Sequence, residues 1–119
     1  MSVPAGTTQQ PHHDVTILQI QEEFSSLFEN LLDDAGLTLT LVNSLTTPKL
    51  VIDLRHVRFI GSAFLGRCIV LQKALTSRAG GQLALCSMNS FSRTALALAA
   101  LDKVIPVYDS PELALQALI

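Results

Sequence analysis

The chain has 119 residues, of which 49% are hydrophobic and 15% are charged, and its net charge is −2. This length suits one domain with a hydrophobic core and is too short for two. The composition excludes a disordered chain, and no segment is rich enough in Lys or Arg to mark a nucleic-acid surface. We therefore expect one folded domain without a nucleic-acid partner.

The first thirteen residues, MSVPAGTTQQPHH, have neither the basic start nor the apolar stretch of a secretory signal. We expect residues 1–13 to form a mobile polar tail and residues 14–119 to form the domain. No apolar run is long enough to cross a bilayer, so we expect no direct membrane insertion. Cys68 and Cys86 lie in apolar contexts outside any C-x-x-C pair, which predicts buried thiols in a reducing, cytoplasmic compartment.

The first half of the chain contains two clear strand patterns and two ambiguous segments. Residues 15–20 and 49–54 are short aliphatic runs, which are typical of strands. Residues 22–32 fit a helical period but are few. After Asp33 and Asp34, the alternating LTLTLV favours a strand, whereas the acidic pair and leucines four residues apart favour a helix. The pattern leaves both open.

The second half alternates strands and helices. A loop over residues 55–61 leads to a long helix that begins at Ser62 and ends before Gly80 and Gly81. Residues 82–88 and 105–108 are predicted strands, and residues 91–104 form a predicted helix between them. Ser110 and Pro111 are a strong start for a last helix. This order predicts a single α/β domain, with a small mixed sheet and helices packed mostly on one face.

Motifs that carry catalysis are missing from the sequence. It contains no G-x-S-x-G, no P-loop, no G-x-G-x-x-G and no zinc-ligand spacing. His12 and His13 fall in the predicted tail, and His56 stands alone in a loop. Asp53 ends a strand without a second carboxylate nearby, so we expect it to cap the following loop. We therefore expect no enzymatic activity, no metal site and no cofactor.

The segment VIDLRHVRFIGSAFLGRCIVLQKALTSRAGGQLALCSM resembles the core of STAS domains. Their pattern is an aliphatic strand ending in Asp-Leu, a short loop, a serine turn, a helix, a glycine-rich stop and a second aliphatic strand. The later LDKVIPVYDSPELALQAL is similar to their C-terminal end. The resemblance implies a STAS fold, with the family's first helix at residues 34–45, and a role as an anti-sigma factor antagonist.

The best-known members of that family bind an anti-sigma factor that is itself a serine kinase. Phosphorylation of one serine, at the start of the helix after the Asp-Leu strand, releases the partner. Ser62 matches this serine, so the resemblance makes it a candidate phosphorylation site. Gly61 stands where many members carry an aspartate that precedes the serine. Its position also makes Ser62 a candidate helix N-cap, and the two roles are compatible.

The helix after Ser62 has one wide apolar stripe that we expect to face the core, formed by Leu65, Cys68, Ile69, Leu71 and Leu75. A narrower strip of small apolar residues lies on the other side among basic groups, and such a strip suits helix-mediated docking. We therefore predict six partner-binding residues: Gly61, Ser62, Ala63, Arg67, Val70 and Ala74.

The resemblance implies a bacterial, cytoplasmic signalling protein of transcription regulation whose partner is an anti-sigma factor or a related serine-kinase-like protein. The family also contains non-switching STAS subunits of lipid-transport ABC complexes and scaffold components of sensory assemblies. The replacement at Gly61 keeps both alternatives open. Binding of a small ligand has no residue in its favour, and the sequence leaves open whether the chain forms a homodimer.

Overall fold

Seven strands and four α-helices make up the part of the chain that the computed structural model describes, residues 7–10, 15–24, 26–27 and 31–119. The strands are β1 (Thr7–Gln10), β2 (Val15–Gln19), β3 (Ser26–Leu27), β4 (Lys49–Asp53), β5 (Phe59–Ile60), β6 (Gln82–Cys86) and β7 (Val107–Tyr108). The helices are α1 (Leu39–Ser44), α2 (Ser62–Thr76), α3 (Ser90–Leu98) and α4 (Pro111–Leu118). Short 3-10 helices lie at Glu22–Phe24 and Leu101–Lys103.

A five-stranded sheet in the order β1-β2-β4-β6-β7 forms the centre of the domain. Only β1 is antiparallel to its neighbour, so the sheet is mixed. A separate two-stranded parallel sheet joins β3 to β5. β1 lies within the segment that the sequence assigns to a tail.

Alternate residues of the strands belong to two separate cores, because successive side chains of a strand point to opposite faces of the sheet. The larger core, which we call the front core, lies between the sheet and helices α1, α2 and α3. The smaller back core lies under α4 alone, and its buried members are Val15, Ile17, Val51, Ala84, Cys86, Ala114 and Leu118. This arrangement confirms the predicted α/β domain with helices mostly on one face.

The first helix is shorter than predicted. It begins at Leu39 rather than near Asp34, and the hydroxyl of Thr38 caps it by accepting a hydrogen bond from the Leu41 N–H at 3.1 Å. Gly36 has a φ of 91°, a left-handed conformation that a helix interior does not accept. The chain therefore turns at Gly36 before the helix begins, and the acidic pair lies outside it.

The other differences from the predicted elements are local. β5 lies inside the segment predicted as a loop, and β7 is two residues shorter than predicted because Pro106 has no N–H to extend the ladder. Helix α3 ends at Leu98 rather than at residue 104, because Ala100, two residues further on, has a positive φ of 59°. Gly81 is required by close packing, since a Cβ there would lie 1.7 Å from the Leu75 carbonyl oxygen. No helix in the described ranges combines the length and apolarity needed to cross a membrane.

Candidate docking surface around Ser62

The loop that leads from β4 to Ser62 is anchored by a buried carboxylate. Asp53 is 1% exposed and accepts hydrogen bonds from the Arg55 backbone N–H at 3.1 Å and from its Nε and Nη2 at 2.9 and 2.6 Å. The hydrogen bond and the charge of Asp53 raise the pKa of Arg55. Asp53 therefore caps this loop, as predicted, and it engages Arg55.

Gly61, rather than Ser62, is the N-cap of α2. The Gly61 N–H donates to the Leu27 carbonyl at 3.1 Å, which continues the ladder between β3 and β5. The Gly61 carbonyl accepts the first helical hydrogen bonds, from Phe64 and Leu65 at 3.1 and 3.3 Å. The prediction of Ser62 as N-cap is wrong because strand pairing holds the backbone extended for one residue longer. Ser62 is the exposed first residue of the helix.

Helix α2 is rotated relative to the predicted apolar stripe. Phe64 is fully buried although the predicted stripe omits it, whereas Leu65 and Ile69 are only partly buried at the edge of the front core. The helix packs on β6 and against α1, and these contacts set its central core row. That row consists of Phe64, Cys68, Leu71 and Leu75.

The six predicted docking residues therefore separate into three sets, of which the first is Gly61, the N-cap of α2. Ala63 and Ala74 are partly buried and pack against the front core. Arg67 is held by Asp33 Oδ1 at 2.7 Å and the Leu37 carbonyl at 2.6 Å. These three residues have structural roles on the side of α2 that faces α1. The outward face carries Ser62 and Val70, and Val70 is 45% exposed.

Gly66 is an exposed residue of this outward face that the sequence analysis did not single out. A Cβ at Gly66 would meet nothing within 4 Å, so packing inside the domain does not require glycine there. Glycine inside a helix costs about 0.5–1 kcal/mol relative to alanine. A glycine in the middle of a predicted helix was the signal that could have marked it. Gly66 leaves bare backbone between Ser62 and Val70, which would let a partner approach closely.

Neither thiol has the properties of a nucleophile. Both cysteines are buried, as predicted, and burial raises the pKa of Cys68 to about 12. Burial, reinforced by the charge of Asp53, also raises the pKa of Cys86 to about 12. Both are therefore protonated at neutral pH, and a thiol rather than a thiolate is a poor nucleophile.

The described residues contain no group of three or more His, Cys, Asp or Glu side chains that could hold a metal ion. The concavities on the surface are shallow and lined by mixed side chains. One of about 310 Å³ is lined by Gln19, Gln21, Glu22 and His56, all of which have polar side chains. His56 Nε2 lies 4.0 Å from Glu22 Oε1 there. This isolated pair does not resemble a catalytic arrangement.

Comparison with known proteins supports the fold and the family. The structure resembles that of an anti-sigma-factor antagonist (STAS) domain protein from Planctomyces limnophilus, with a TM-score of 0.84, 25% sequence identity and full coverage of both chains. It also resembles a candidate anti-sigma factor antagonist from Thermotoga maritima, with a TM-score of 0.74 and 23% identity over 94% of this chain and 92% of that one. The second likeness concerns the fold alone.

A search of curated protein sequences gives no significant match. The family model for the STAS domain matches residues 7–114, which includes both sheets, the Ser62 turn and the first half of α4. The match and the shared fold agree with the resemblance seen in the sequence around Ser62. The chain therefore belongs to the STAS domain family.

Proposed function

We propose that this STAS domain is a regulatory binding module of the anti-sigma factor antagonist type. Its partner is an anti-sigma factor or a related serine-kinase-like protein, which docks on Ser62 and the outward face of α2 in the bacterial cytoplasm. The observation that carries the proposal is the position of Ser62 as an exposed first residue of α2, with Gly61 acting as the cap in its place. The hydroxyl is therefore not committed to capping the fold.

Phosphorylation of Ser62 would be compatible with the folded domain. A phosphate at a helix N-terminus lies near free backbone N–H groups and the positive end of the helix dipole. It would also add nearly two negative charges to the docking surface. The module would then bind its partner when Ser62 is unmodified and release it when Ser62 is phosphorylated.

A second candidate is a STAS subunit that docks without a switch, as in a lipid-transport ABC complex or a sensory scaffold. The observation in its favour is Gly61, which stands at the position where many family members carry an aspartate before the serine. In this case the α2 face would bind its partner permanently, and Ser62 would contribute contact area only.

The experiment that separates the two candidates uses purified protein and each histidine-kinase-fold anti-sigma factor encoded in the same genome. Binding is measured by calorimetry, and incubation with Mg-ATP is followed by intact-mass spectrometry. The switch requires binding to one of these proteins and a single phosphate on Ser62 that abolishes it. Binding without phosphorylation favours a permanent module, and no binding to any of them contradicts the anti-sigma role.

The proposed module has no catalytic turnover of its own. The basis is the lack of any catalytic motif in the sequence and the protonated state of both thiols. Assays of the purified protein with generic esterase, phosphatase and nucleotide substrates should give rates equal to those of buffer. A turnover that one point substitution abolishes would contradict this part of the proposal.

A further inference from the structure

Helix α3 carries exposed apolar residues that the domain does not use. Phe91 is 61% exposed and Leu98 is 84% exposed. Together with Ser90, Thr94 and Ala95 they line a shallow concavity of about 340 Å³ along the helix. These positions repeat at intervals of three and four residues, so the apolar residues form a stripe parallel to the helix axis. A soluble domain seldom leaves such a stripe exposed without a function.

The stripe continues onto the loop that precedes Ser62. Phe59 is 48% exposed, and its ring packs edge-on against Phe91 with the ring centroids 5.7 Å apart at 81°. The Asn89 side-chain amide donates a hydrogen bond to the Arg58 carbonyl at 3.0 Å. This bond joins the start of α3 to the loop and holds the two rings in place. We call the surface formed by Phe59, Phe91, Thr94, Ala95 and Leu98 the α3 patch.

The part of the chain that carries the α3 patch has an excess of positive charge. Between Asp53 and Asp102 the chain contains no acidic residue, and the same stretch holds six of its eight Lys and Arg residues. That stretch contains the β5 loop, α2, β6 and α3. The overall net charge of −2 therefore hides a strong separation of charge.

Two of these cations are available to a partner. Arg58 and Lys73 are exposed, and neither forms an ion pair with a carboxylate in the ranges that the structure describes. Arg58 precedes Phe59 directly, and Lys73 lies on the outward face of α2. The other cations of the stretch are held within the domain, by salt bridges in the case of Arg55, Arg67 and Arg93 and by backbone carbonyls in the case of Arg78.

We propose that the α3 patch binds an amphipathic helix of the partner protein whose apolar stripe is flanked by Asp or Glu. The apolar stripe would cover Phe59, Phe91 and Leu98, and the flanking carboxylates would meet Arg58, whose carbonyl is bonded to the start of α3. This inference rests on the proposed function for the partner's approach to α2, and it extends the docking surface to α3. It also gives the partner a specific chemistry, because a basic or neutral helix would leave Arg58 unpaired.

A second copy of this chain does not fit the same surface. A symmetric dimer brings the same patch of both copies together, so the cations of the two copies would gather at one contact. No exposed acidic residue of the stretch would compensate. We therefore assign the acidic flank to a different protein.

The inference can be tested with the full-length isotope-labelled protein and two synthetic amphipathic helices of about 18 residues. Both carry leucines at helical spacing, flanked by Glu in one peptide and by Lys in the other. The Glu peptide should shift the amide resonances of Phe59, Phe91, Thr94 and Leu98 in NMR spectra, and the Lys peptide should not. Raising the salt concentration should weaken binding of the Glu peptide, since its charged contacts with the protein are exposed to solvent.

Variants of exposed residues sharpen the test. Phe91→Ser should weaken binding of the Glu peptide by about tenfold or more, as expected for an aromatic anchor, and Arg58→Glu should weaken it by about threefold. Leu113→Ser is the control, because Leu113 is another large apolar residue that is exposed, at 46%, but it lies on α4. It should leave the affinity within about twofold. Circular dichroism should confirm that each variant remains folded.

Several results would overturn the inference. Equal binding of the two peptides would remove the charge requirement, and shifts confined to other regions would move the site. Binding to vesicles containing phosphatidylserine, if Phe91→Ser abolishes it, would assign the patch to a membrane. Dimerisation that is lost in the same variant would assign the patch to a second copy.

If anti-sigma proteins bind but Phe91→Ser changes neither their binding nor that of the peptide, this inference fails and the proposed function stands. If the Glu peptide binds but no anti-sigma protein does, the proposed function fails and the acidic-helix specificity stands.

Discussion

The front and back of the central sheet are covered by helices of different character. On the back, α4 buries Ala114 and Leu118 over a small core and exposes one large apolar residue, Leu113. On the front, α2 and α3 cover a larger core and still expose Val70, Phe91 and Leu98. The front helices contain only cations as charged residues, whereas the charged residue of α4 is Glu112.

This difference shows that the need to cover the core does not explain the exposed apolar side chains on the front helices. Helix α4 demonstrates that a short helix can close one side of this sheet with little apolar excess. The front helices carry exposed apolar side chains, an unneeded glycine at Gly66 and, at Lys73, a cation without a carboxylate partner among the described residues. None of these features is required to bury the core. Their outward faces are therefore the part of the domain suited to a partner, and the back serves mainly to complete the fold.

The largest effect that tests this comparison is expected from a charge on the front surface. Val70→Asp should weaken partner binding by about 2 kcal/mol or more, because an unpaired carboxylate would be desolvated at the contact. It should change the free energy of unfolding by no more than about 0.5 kcal/mol, since Val70 is exposed. Calorimetric titration and urea unfolding measure the two quantities.

The matched control is Leu113→Asp, which places the same charge at a similarly exposed position on α4. It should affect neither binding nor stability appreciably. If Leu113→Asp weakened binding as much as Val70→Asp, the distinction between front and back would be lost.

The next effect concerns Ser62. Ser62→Asp should weaken partner binding by about tenfold, or 1.4 kcal/mol, while Ser62→Ala should preserve it. Because Gly61 is the cap, Ser62→Ala should cost no more than about 0.5 kcal/mol of folding stability, and Asp should be slightly favourable near the helix start. Equal affinity of the Ala, Asp and wild-type forms would exclude a charge-operated switch.

Gly61 bears on the same switch. A Gly61→Asp variant restores the residue that many family members carry at this position, and it should become a better substrate for the partner kinase. Phosphate incorporation at Ser62, measured by intact mass over time, tests this. An unchanged rate would show that Gly61 does not limit recognition.

A third effect compares the two cores through one thiol in each. The pKa of Cys68 rises from an ordinary value of 9.0 to about 12 in the fold, and the pKa of Cys86 rises similarly. As the pH rises above 9, the thiols ionise in the unfolded chain but stay protonated in the folded chain. Ionisation therefore favours the unfolded chain, and the free energy of unfolding falls as the pH rises from 9 towards 12. At pH 10 each thiol should account for a loss of about 1.4 kcal/mol.

Urea unfolding at pH 8 and pH 10 measures this loss. Cys68→Ala should be less stable overall, because it leaves a cavity, but its stability should fall less between the two pH values. An equally steep fall in Cys68→Ala and wild type would contradict the assigned burial of this thiol. Slow reaction of both cysteines with a bulky thiol reagent at neutral pH is expected for the same reason.

The smallest effect is a gain. Gly66→Ala should stabilise the fold by about 0.5–1 kcal/mol, because alanine is the better helix residue and its Cβ has open space. If a partner approaches the bare backbone of α2, the same variant should weaken partner binding severalfold. A stabilised variant with unchanged affinity would leave Gly66 without a role in docking.

Several features of the molecule could be predicted from the sequence because they depend on residues close together in the chain. The aliphatic run of β4 and the helix start at Ser110 and Pro111 are such cases, and the Ser110 hydroxyl accepts the Leu113 N–H at 3.2 Å. The order and spacing of the elements around Ser62 were sufficient to indicate the STAS family. Local propensity and spacing therefore determined the fold class and the place of the candidate site.

The outward face of α2 was decided by tertiary structure. The residue at which α2 begins depends on where strand pairing ends. The Gly61 N–H donates to the carbonyl of Leu27, which is far away in the sequence. The rotation of α2 depends on packing against α1 and β6, which buries Phe64 and leaves Leu65 at the edge. The contact between Phe59 and Phe91 joins two segments that no sequence pattern connects. Such long-range pairings set which side chains face the solvent, so the sequence determined which segment carries the site and the tertiary structure decided which residues form its surface.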